Sequence, residues 1–87
     1  MKVKVEVIFI GQLAEETGYR NLTVEASDNL KSLLLAIEQV TGLSTKKILK
    51  KSHSILVNGR SYYLLGKEST ELKENDTVII TPKLGGG

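Results

Sequence analysis

The sequence contains no cysteine and no tryptophan, a single proline, a single histidine and no long hydrophobic segment. Without cysteine the chain has no disulfide, no nucleophilic thiol and no thiolate metal site. No apolar run approaches the roughly 20 residues that cross a bilayer. The N-terminal MKVKVEVIFI alternates charged with apolar residues, unlike the continuous apolar segment of a signal peptide. We therefore expect a cytoplasmic protein without membrane contacts.

Motifs for catalysis and ligand binding are equally scarce. The glycines do not follow the spacing of phosphate-binding or dinucleotide-binding loops, and His53 has no second histidine or cysteine with which to hold a metal. No serine, histidine and aspartate stand in a context that suggests a catalytic set. We therefore expect no bound cofactor, no metal and no catalytic side chain. Whether the protein counts as an enzyme stays open at this point.

The charges are nearly balanced, with 12 basic and 10 acidic side chains and a net charge of +2. Four of the lysines form a cluster at positions 46, 47, 50 and 51. No aromatic side chain accompanies them as a stacking platform for bases. We interpret the lysine cluster as the exposed face of a helix and do not expect nucleic-acid binding. Contact with RNA or with an acidic partner is the alternative.

The length of 87 residues predicts a single domain, and hydrophobic periodicity predicts that it contains strands and helices. Residues 3–10 alternate with period two, which places Val3, Val5, Val7 and Phe9 on one face and Lys4, Glu6, Ile8 and Ile10 on the other. A second strand is predicted from about Asn21 to Ala26. The main helix is expected from about Asn29 to Thr41, capped by Ser27 or Asp28 and ended by Gly42, with an apolar stripe of Leu30, Leu33, Leu34, Ile37 and Val40.

The second half of the sequence predicts a shorter helix, a hairpin and a last strand. Ser44 caps the shorter helix, in which Ile48 and Leu49 point inward. The Asn58-Gly59 dipeptide predicts a tight hairpin, and a strand from Val78 to Thr81 ends at Pro82. One main helix covers only one face of such a sheet, so we expect the other face to contact solvent.

Three segments carry a resemblance to a known family: VKVEVIFIGQLAEETG at the start, ILVNGR in the third quarter and TELKENDTVIITPKLGGG at the end. With this element order, the chain resembles the ubiquitin-like β-grasp sulfur carriers. This family includes the small subunit of molybdopterin synthase (MoaD), the thiamine sulfur carrier (ThiS) and the small archaeal modifier proteins. The resemblance implies an α+β fold, with a mixed four- to five-stranded sheet and one main helix on one face. Residues 1–81 would form the β-grasp domain and residues 82–87 a flexible C-terminal tail.

The resemblance also implies a chemistry for the end of the chain. A ubiquitin-activating-enzyme-like adenylyltransferase would use ATP to adenylate the carboxylate of Gly87, which would then become a thiocarboxylate. Gly85 and Gly86, which have no Cβ, would let the tail enter a narrow active site. The sulfur would pass to a molybdopterin precursor in the large subunit of the synthase. The alternatives are conjugation of Gly87 to lysines of target proteins, sulfur donation for thiamine or tRNA thiolation, and a non-covalent adaptor.

A partner-binding patch is expected on the uncovered face of the sheet. If the first and last strands pair, as the family arrangement implies, four side chains come together there: Ile8, Ile10, Ile79 and Thr81. Exposed apolar patches of this kind usually mark a partner. The root of the tail is expected to contact the same partner through Pro82, Lys83 and Leu84.

Overall fold

The structure, a computed structural model, describes residues 2–49, 53–61 and 69–82. Within these ranges it contains five strands and three helices: β1 (Lys2–Phe9), α1 (Gln12–Thr17), β2 (Asn21–Ser27), α2 (Leu30–Thr41), α3 (Thr45–Leu49), β3 (His53–Val57), β4 (Arg60–Ser61) and β5 (Thr77–Pro82). No helix in the described part of the chain is long and apolar enough to span a membrane. The α+β class predicted from the sequence is confirmed.

The five strands form one mixed sheet in the order β2-β1-β5-β3-β4. Strand β1 runs parallel to β5, and the other neighbouring strands are antiparallel. The expected pairing of the first and last strands is therefore present, at the centre of the sheet. Because β1 and β5 are parallel, their C-terminal ends lie at the same edge, and the chain leaves the sheet from its middle.

The core lies between one face of the sheet and the helices. Alternation places nine strand residues inward, where they are buried: Val5, Val7, Phe9, Val24, Ala26, Ile55, Val57, Val78 and Ile80. The same cluster contains buried residues of all three helices. Burial of a large aliphatic side chain contributes about 1.5–3 kcal/mol, so this contiguous cluster dominates the stability of the domain.

Helix α2 begins at Leu30, so the residue that caps it is Asn29. The predicted caps at Ser27 and Asp28 are therefore wrong. Asn29 is the cap: it has an extended backbone, and its Oδ1 accepts a hydrogen bond from the Ser32 N–H at 2.8 Å. The reason lies in a distant segment of the chain. The Asp28 carbonyl accepts a hydrogen bond from the Leu72 N–H at 2.8 Å, and this bond keeps the chain extended up to Asn29.

The apolar stripe of α2 is confirmed for its first four members but is wrong for Val40. Leu30, Leu33, Leu34 and Ile37 are fully buried, whereas Val40 is 51% exposed. With 3.6 residues per turn, Val40 lies about 70° from the centre of the buried stripe. It also lies in the last turn before Gly42, whose left-handed backbone ends the helix as predicted.

Truncation of Ile37 and of Val40 should therefore have very different effects. We expect Ile37→Ala to lower the free energy of unfolding by about 2–5 kcal/mol, because it opens a cavity in the core. Val40→Ala should change it by less than about 0.5 kcal/mol, since little burial is lost and alanine favours helix. Urea denaturation of both variants measures the difference. Equal losses would contradict the placement of Val40 at the surface.

The remaining turns follow the sequence prediction. Asn58 and Gly59 both have positive φ, as a two-residue hairpin of the mirror-image type requires. Asn58 also joins the hairpin to β5, since its Nδ2 donates to Asp76 Oδ1 at 3.0 Å and its Oδ1 accepts from the Thr77 N–H at 2.9 Å. Asn75 has positive φ as well, which fits its position in the preceding turn.

Helix α3 is capped as predicted, because Ser44 Oγ accepts a hydrogen bond from the Lys47 N–H at 3.2 Å. Ile48 is buried, as expected, while the side chain of Leu49 lies outside the described residues. Lys46 and Lys47 are exposed, and Lys47 Nζ forms an ion pair with Glu16 at 3.2 Å. The other two residues of the lysine cluster, at positions 50 and 51, lie outside the described residues.

Candidate functional site

The outer face of the sheet, opposite the core, carries an apolar row across its three central strands. Ile8 of β1 pairs in register with Ile79 of β5, and Ile79 pairs in register with Leu56 of β3. All three side chains are half-buried. In the described part of the chain, the buried residues of the helices all join the core on the inner face, so the outer row has no helix over it.

Two other predicted members of the patch lie at the end of this row. Ile10 follows β1, and its N–H donates to the Ile80 carbonyl at 3.1 Å. Its side chain is 44% exposed. Thr81 is half-buried and pairs with Ser54 of β3. The structure thus brings the four predicted residues to one end of the outer face, around the C-terminal ends of β1 and β5.

Two further residues belong to this surface and were missed from the sequence. Leu56 completes the apolar row between buried Ile55 and Val57, but three consecutive apolar residues do not show in the sequence which of them faces outward. Tyr19, which is 39% exposed, lines a depression together with Ile8 and Ile10 at the end of β1. No pattern in the sequence links Tyr19 to β1, because the contact depends on how α1 returns the chain to β2.

The other end of the outer face is polar. Lys4 and Glu6 of β1 are exposed there beside Thr23 and Glu25 of β2, and the turn residue Asn75 lines the same surface. The outer face therefore changes from charged to apolar along β1, from Lys4 and Glu6 to Ile8 and Ile10. The apolar end is the one from which the chain continues to residue 83.

The root of the tail lies at that apolar end. Pro82 is the last residue of β5, is half-buried and pairs in register with His53 of β3. On the side of β1, the ring of Pro82 faces Gly11 with room for a Cβ between them: a Cβ at Gly11 would make ordinary van der Waals contact with Pro82 Cγ at 3.6 Å. The other predicted residues of the tail lie outside the described residues: Lys83, Leu84, Gly85, Gly86 and Gly87.

The described residues at this end of the sheet offer an exposed apolar surface. Among them, no group of three or more histidine, aspartate or glutamate side chains is arranged to hold a metal ion. No buried side-chain nitrogen or oxygen atom in the described ranges lacks a hydrogen-bond partner. The arrangement offers an apolar row, a polar flank and a strand that leads directly from the row to the glycine segment.

Comparison with known proteins agrees with the family that the sequence resembles. The model of the ThiS family matches residues 7–87. A protein of Archaeoglobus fulgidus described as "Putative sulfur carrier protein" is 34% identical over 64 residues, which cover 67% of this chain and 73% of the relative.

Solved structures match nearly the whole chain. The solution structure of the small archaeal modifier protein 1 from Methanosarcina acetivorans superimposes with a TM-score of 0.85 at 24% identity, covering 100% of this chain and 99% of that one. The crystal structure of Urm1 from Sulfolobus solfataricus has a TM-score of 0.70 at 26% identity, covering 90% of this chain and 99% of that one. These likenesses confirm the β-grasp fold. The chain belongs to the ThiS family, a family of ubiquitin-like β-grasp sulfur carriers and modifiers.

Proposed function

We propose that this chain is a sulfur carrier that works through the α-carboxylate of Gly87, taken as the C-terminal residue. An adenylyltransferase related to ubiquitin-activating enzymes adenylates this carboxylate with ATP, and a sulfur nucleophile converts it to a thiocarboxylate. The sulfur then passes to a molybdopterin precursor in the large subunit of the synthase. The observation that carries the proposal is the position of the apolar row, which lies at the end of the sheet where β5 leads into the glycine segment.

The chemistry needs an activated carboxyl group. An α-carboxylate has a pKa of about 3.3–3.7, so at neutral pH it is ionised and a poor electrophile. Its oxygen attacks the α-phosphorus of ATP, and pyrophosphate leaves. A hydrosulfide anion then attacks the acyl carbon of the mixed anhydride, AMP leaves with the oxygen that joined it to the acyl group, and the thiocarboxylate remains. Both steps take place in the partner enzyme, and this chain supplies the carboxylate and its presentation.

The geometry of this chain is suited to presentation. Five residues follow Pro82 and reach at most about 17 Å when extended, and the last three of them have no Cβ. Ordering each of these residues in an active site costs about 1–2 kcal/mol. Docking of the apolar row formed by Ile8, Ile79 and Leu56 offsets this cost, because the half-buried side chains lose their remaining contact with water.

The second candidate is conjugation, in which the amine of a target lysine attacks the same acyl-adenylate or a thioester derived from it. It is favoured by the chemistry of the activated carboxyl group, which accepts nitrogen as well as sulfur nucleophiles. The structural likeness to the small archaeal modifier protein 1 supports the fold that such a role requires. Sulfur donation to thiamine or tRNA precursors would use the same activation with a different acceptor.

Intact-mass measurement of the protein from its source cells tests the proposal. A carrier is expected to show a fraction in which one sulfur replaces one oxygen at the C-terminus. A modifier is expected to leave a distinctive remnant, because trypsin cleaves after Lys83 and leaves Leu-Gly-Gly-Gly on the target lysine. A free acid as the sole form, without remnants, in cells that require the molybdenum or tungsten cofactor would overturn both candidates.

A further inference from the structure

Strand β2 is a long edge of the sheet. In the described part of the chain it has a neighbouring strand on one side only. All seven of its residues pair with β1 in one continuous register without a bulge. Edge strands are usually protected from pairing with another chain by lysine, by proline or by a bulge. The β2 sequence NLTVEAS contains neither lysine nor proline, so this edge lacks the usual protection.

The hydrogen bonds between β1 and β2 show which backbone groups of β2 point away from β1. The Phe9 N–H donates to the Arg20 carbonyl at 2.9 Å, which makes these two residues a hydrogen-bonded pair. Hydrogen-bonded and non-bonded pairs alternate along an antiparallel ladder, so Leu22, Val24 and Ala26 bond to β1. The backbone N–H and carbonyl groups of the other four residues point to the free edge, and the side chains of these residues are exposed: Asn21, Thr23, Glu25 and Ser27.

An apolar flank of α2 lies on the same side of the domain as this edge. Helix α2 packs on β2, and α3 packs on β3 at the other side of the sheet. Glu38 marks the flank of α2 that faces α3, because its Oε1 accepts a hydrogen bond from the Thr45 N–H at 3.1 Å. Ala36 and Val40 lie about 160° around the helix from Glu38, on the flank towards β2. Ala36 is half-buried and Val40 is 51% exposed, so apolar surface lies beside the free edge.

We propose that the free edge of β2 is the interface of a symmetric dimer, and that its occupant is β2 of a second copy of this chain. The two strands run antiparallel around a two-fold axis at Val24. In this register all seven residues pair, and each edge-directed residue is opposite another edge-directed residue, so that four pairs can exchange two hydrogen bonds each. On the inner face, Leu22 lies opposite Ala26 of the second copy, which continues the apolar face of the sheet.

The charges of β2 favour this register over its neighbours. Glu25 is the only charged residue of β2, and within its own copy it pairs with Lys4. The register centred on Val24 places Glu25 opposite the neutral Thr23 of the second copy. A shift of two residues in one direction would place Glu25 opposite Glu25, which is destabilising. A shift in either direction would leave only five of the seven residues of each strand paired.

The two-fold axis is perpendicular to the sheet, so both α2 helices lie on the same face of the joined sheet. They run antiparallel, and the flanks that carry Ala36 and Val40 face each other. The outer apolar row stays uncovered in both copies, and the two rows lie at opposite ends of the joined sheet. The dimer is therefore compatible with docking of the activating enzyme, and the proposal does not depend on the proposed function.

The first test is the mass of the full chain as a function of concentration, measured by sedimentation equilibrium. One strand pair and one helix flank form an interface at the low end of the size range, so we expect a reversible dimer with a Kd of about 10–100 µM. A monomer at all concentrations up to about 1 mM would overturn the proposal.

A pair of lysine substitutions on α2 tests the face by which the copies meet. Val40 and Leu35 are 51% and 49% exposed, but only Val40 lies on the flank towards β2. We expect Val40→Lys to raise the dimer Kd at least about 10-fold, because each copy brings an ammonium group into the closed interface. Leu35→Lys is the matched control, and its Kd should stay within about 2-fold of the unmodified chain. Equal Kd values for the two variants would contradict the proposal.

Disulfide cross-linking tests the register. Because the chain has no cysteine, Thr23→Cys and Glu25→Cys each introduce a single thiol. In the proposed dimer their Cα atoms are a hydrogen-bonded pair about 5.5 Å apart, within the range of a disulfide. Two copies of the same variant would have these Cα atoms about 8 Å apart, which is beyond that range. In an equimolar mixture with oxidised glutathione we expect the mixed disulfide dimer to predominate. A yield equal to that of random pairing would overturn the register and with it the proposal.

Discussion

Removal of Gly86 and Gly87 is expected to lower the rate of adenylation at least about 100-fold, since a misplacement of even 1 Å at a reacting centre can cost this much. The deletion withdraws the carboxylate by about 7 Å towards the sheet. The domain should unfold at an unchanged midpoint, because the core cluster and the described elements all precede residue 83. ATP–pyrophosphate exchange measures the rate, and a thermal scan verifies the fold.

A chain of full length that ends in the primary amide of Gly87 is the matched control. It keeps the length of the chain but has an amide nitrogen in place of the carboxylate oxygen that would attack ATP in the proposed reaction. We expect it to bind the activating enzyme with unchanged affinity and to support no pyrophosphate exchange. If the shortened chain were adenylated at the rate of the full chain, the tail would have no role in the reaction and the proposed function would fail.

The elements that were predicted correctly from the sequence are those that residues close together in the chain determine. The alternation in β1, the four buried residues of α2 and the hairpin at Asn58-Gly59 all depend on side-chain period or on backbone conformations that few residues adopt. The error in the helix cap has a distant cause. Asn29 caps α2 because the Leu72 N–H holds the preceding carbonyl, and no residue near Asn29 indicates this bond.

Prediction of the candidate site requires the register between paired strands, which prediction of the helices and turns does not. Ile8 and Ile79 could be placed side by side only through the family resemblance, because parallel pairing of the first and last strands leaves no local pattern. Leu56 was missed because three consecutive apolar residues in β3 do not show which of them faces outward until the pairing with β5 is known.

Substitution of Ile79 by aspartate is expected to raise the KM of adenylation at least about 10-fold, which corresponds to about 1.4 kcal/mol of binding free energy. Ile79 lies in the middle of the apolar row, between Ile8 and Leu56. Residues at the centre of an interface are the most completely desolvated, and an unpaired carboxylate there is costly. The value of kcat should stay within about 2-fold, because once docked the tail reaches the same active site.

Thr23→Asp is the matched control for this substitution, because it adds the same charge to the same face at its polar end, where Thr23 of β2 is exposed beside Glu6. We expect its KM to stay within about 2-fold of the unmodified chain. Because Ile79 is half-buried, Ile79→Ala is measured as well, and the unfolding midpoints of all three variants show that they are folded at the assay temperature. A gradient of KM from Thr23→Asp through Ile79→Ala to Ile79→Asp would identify the apolar row as the docking surface. Equal KM values for the two aspartate variants would contradict this assignment. The activating enzyme would then bind a surface other than the apolar row.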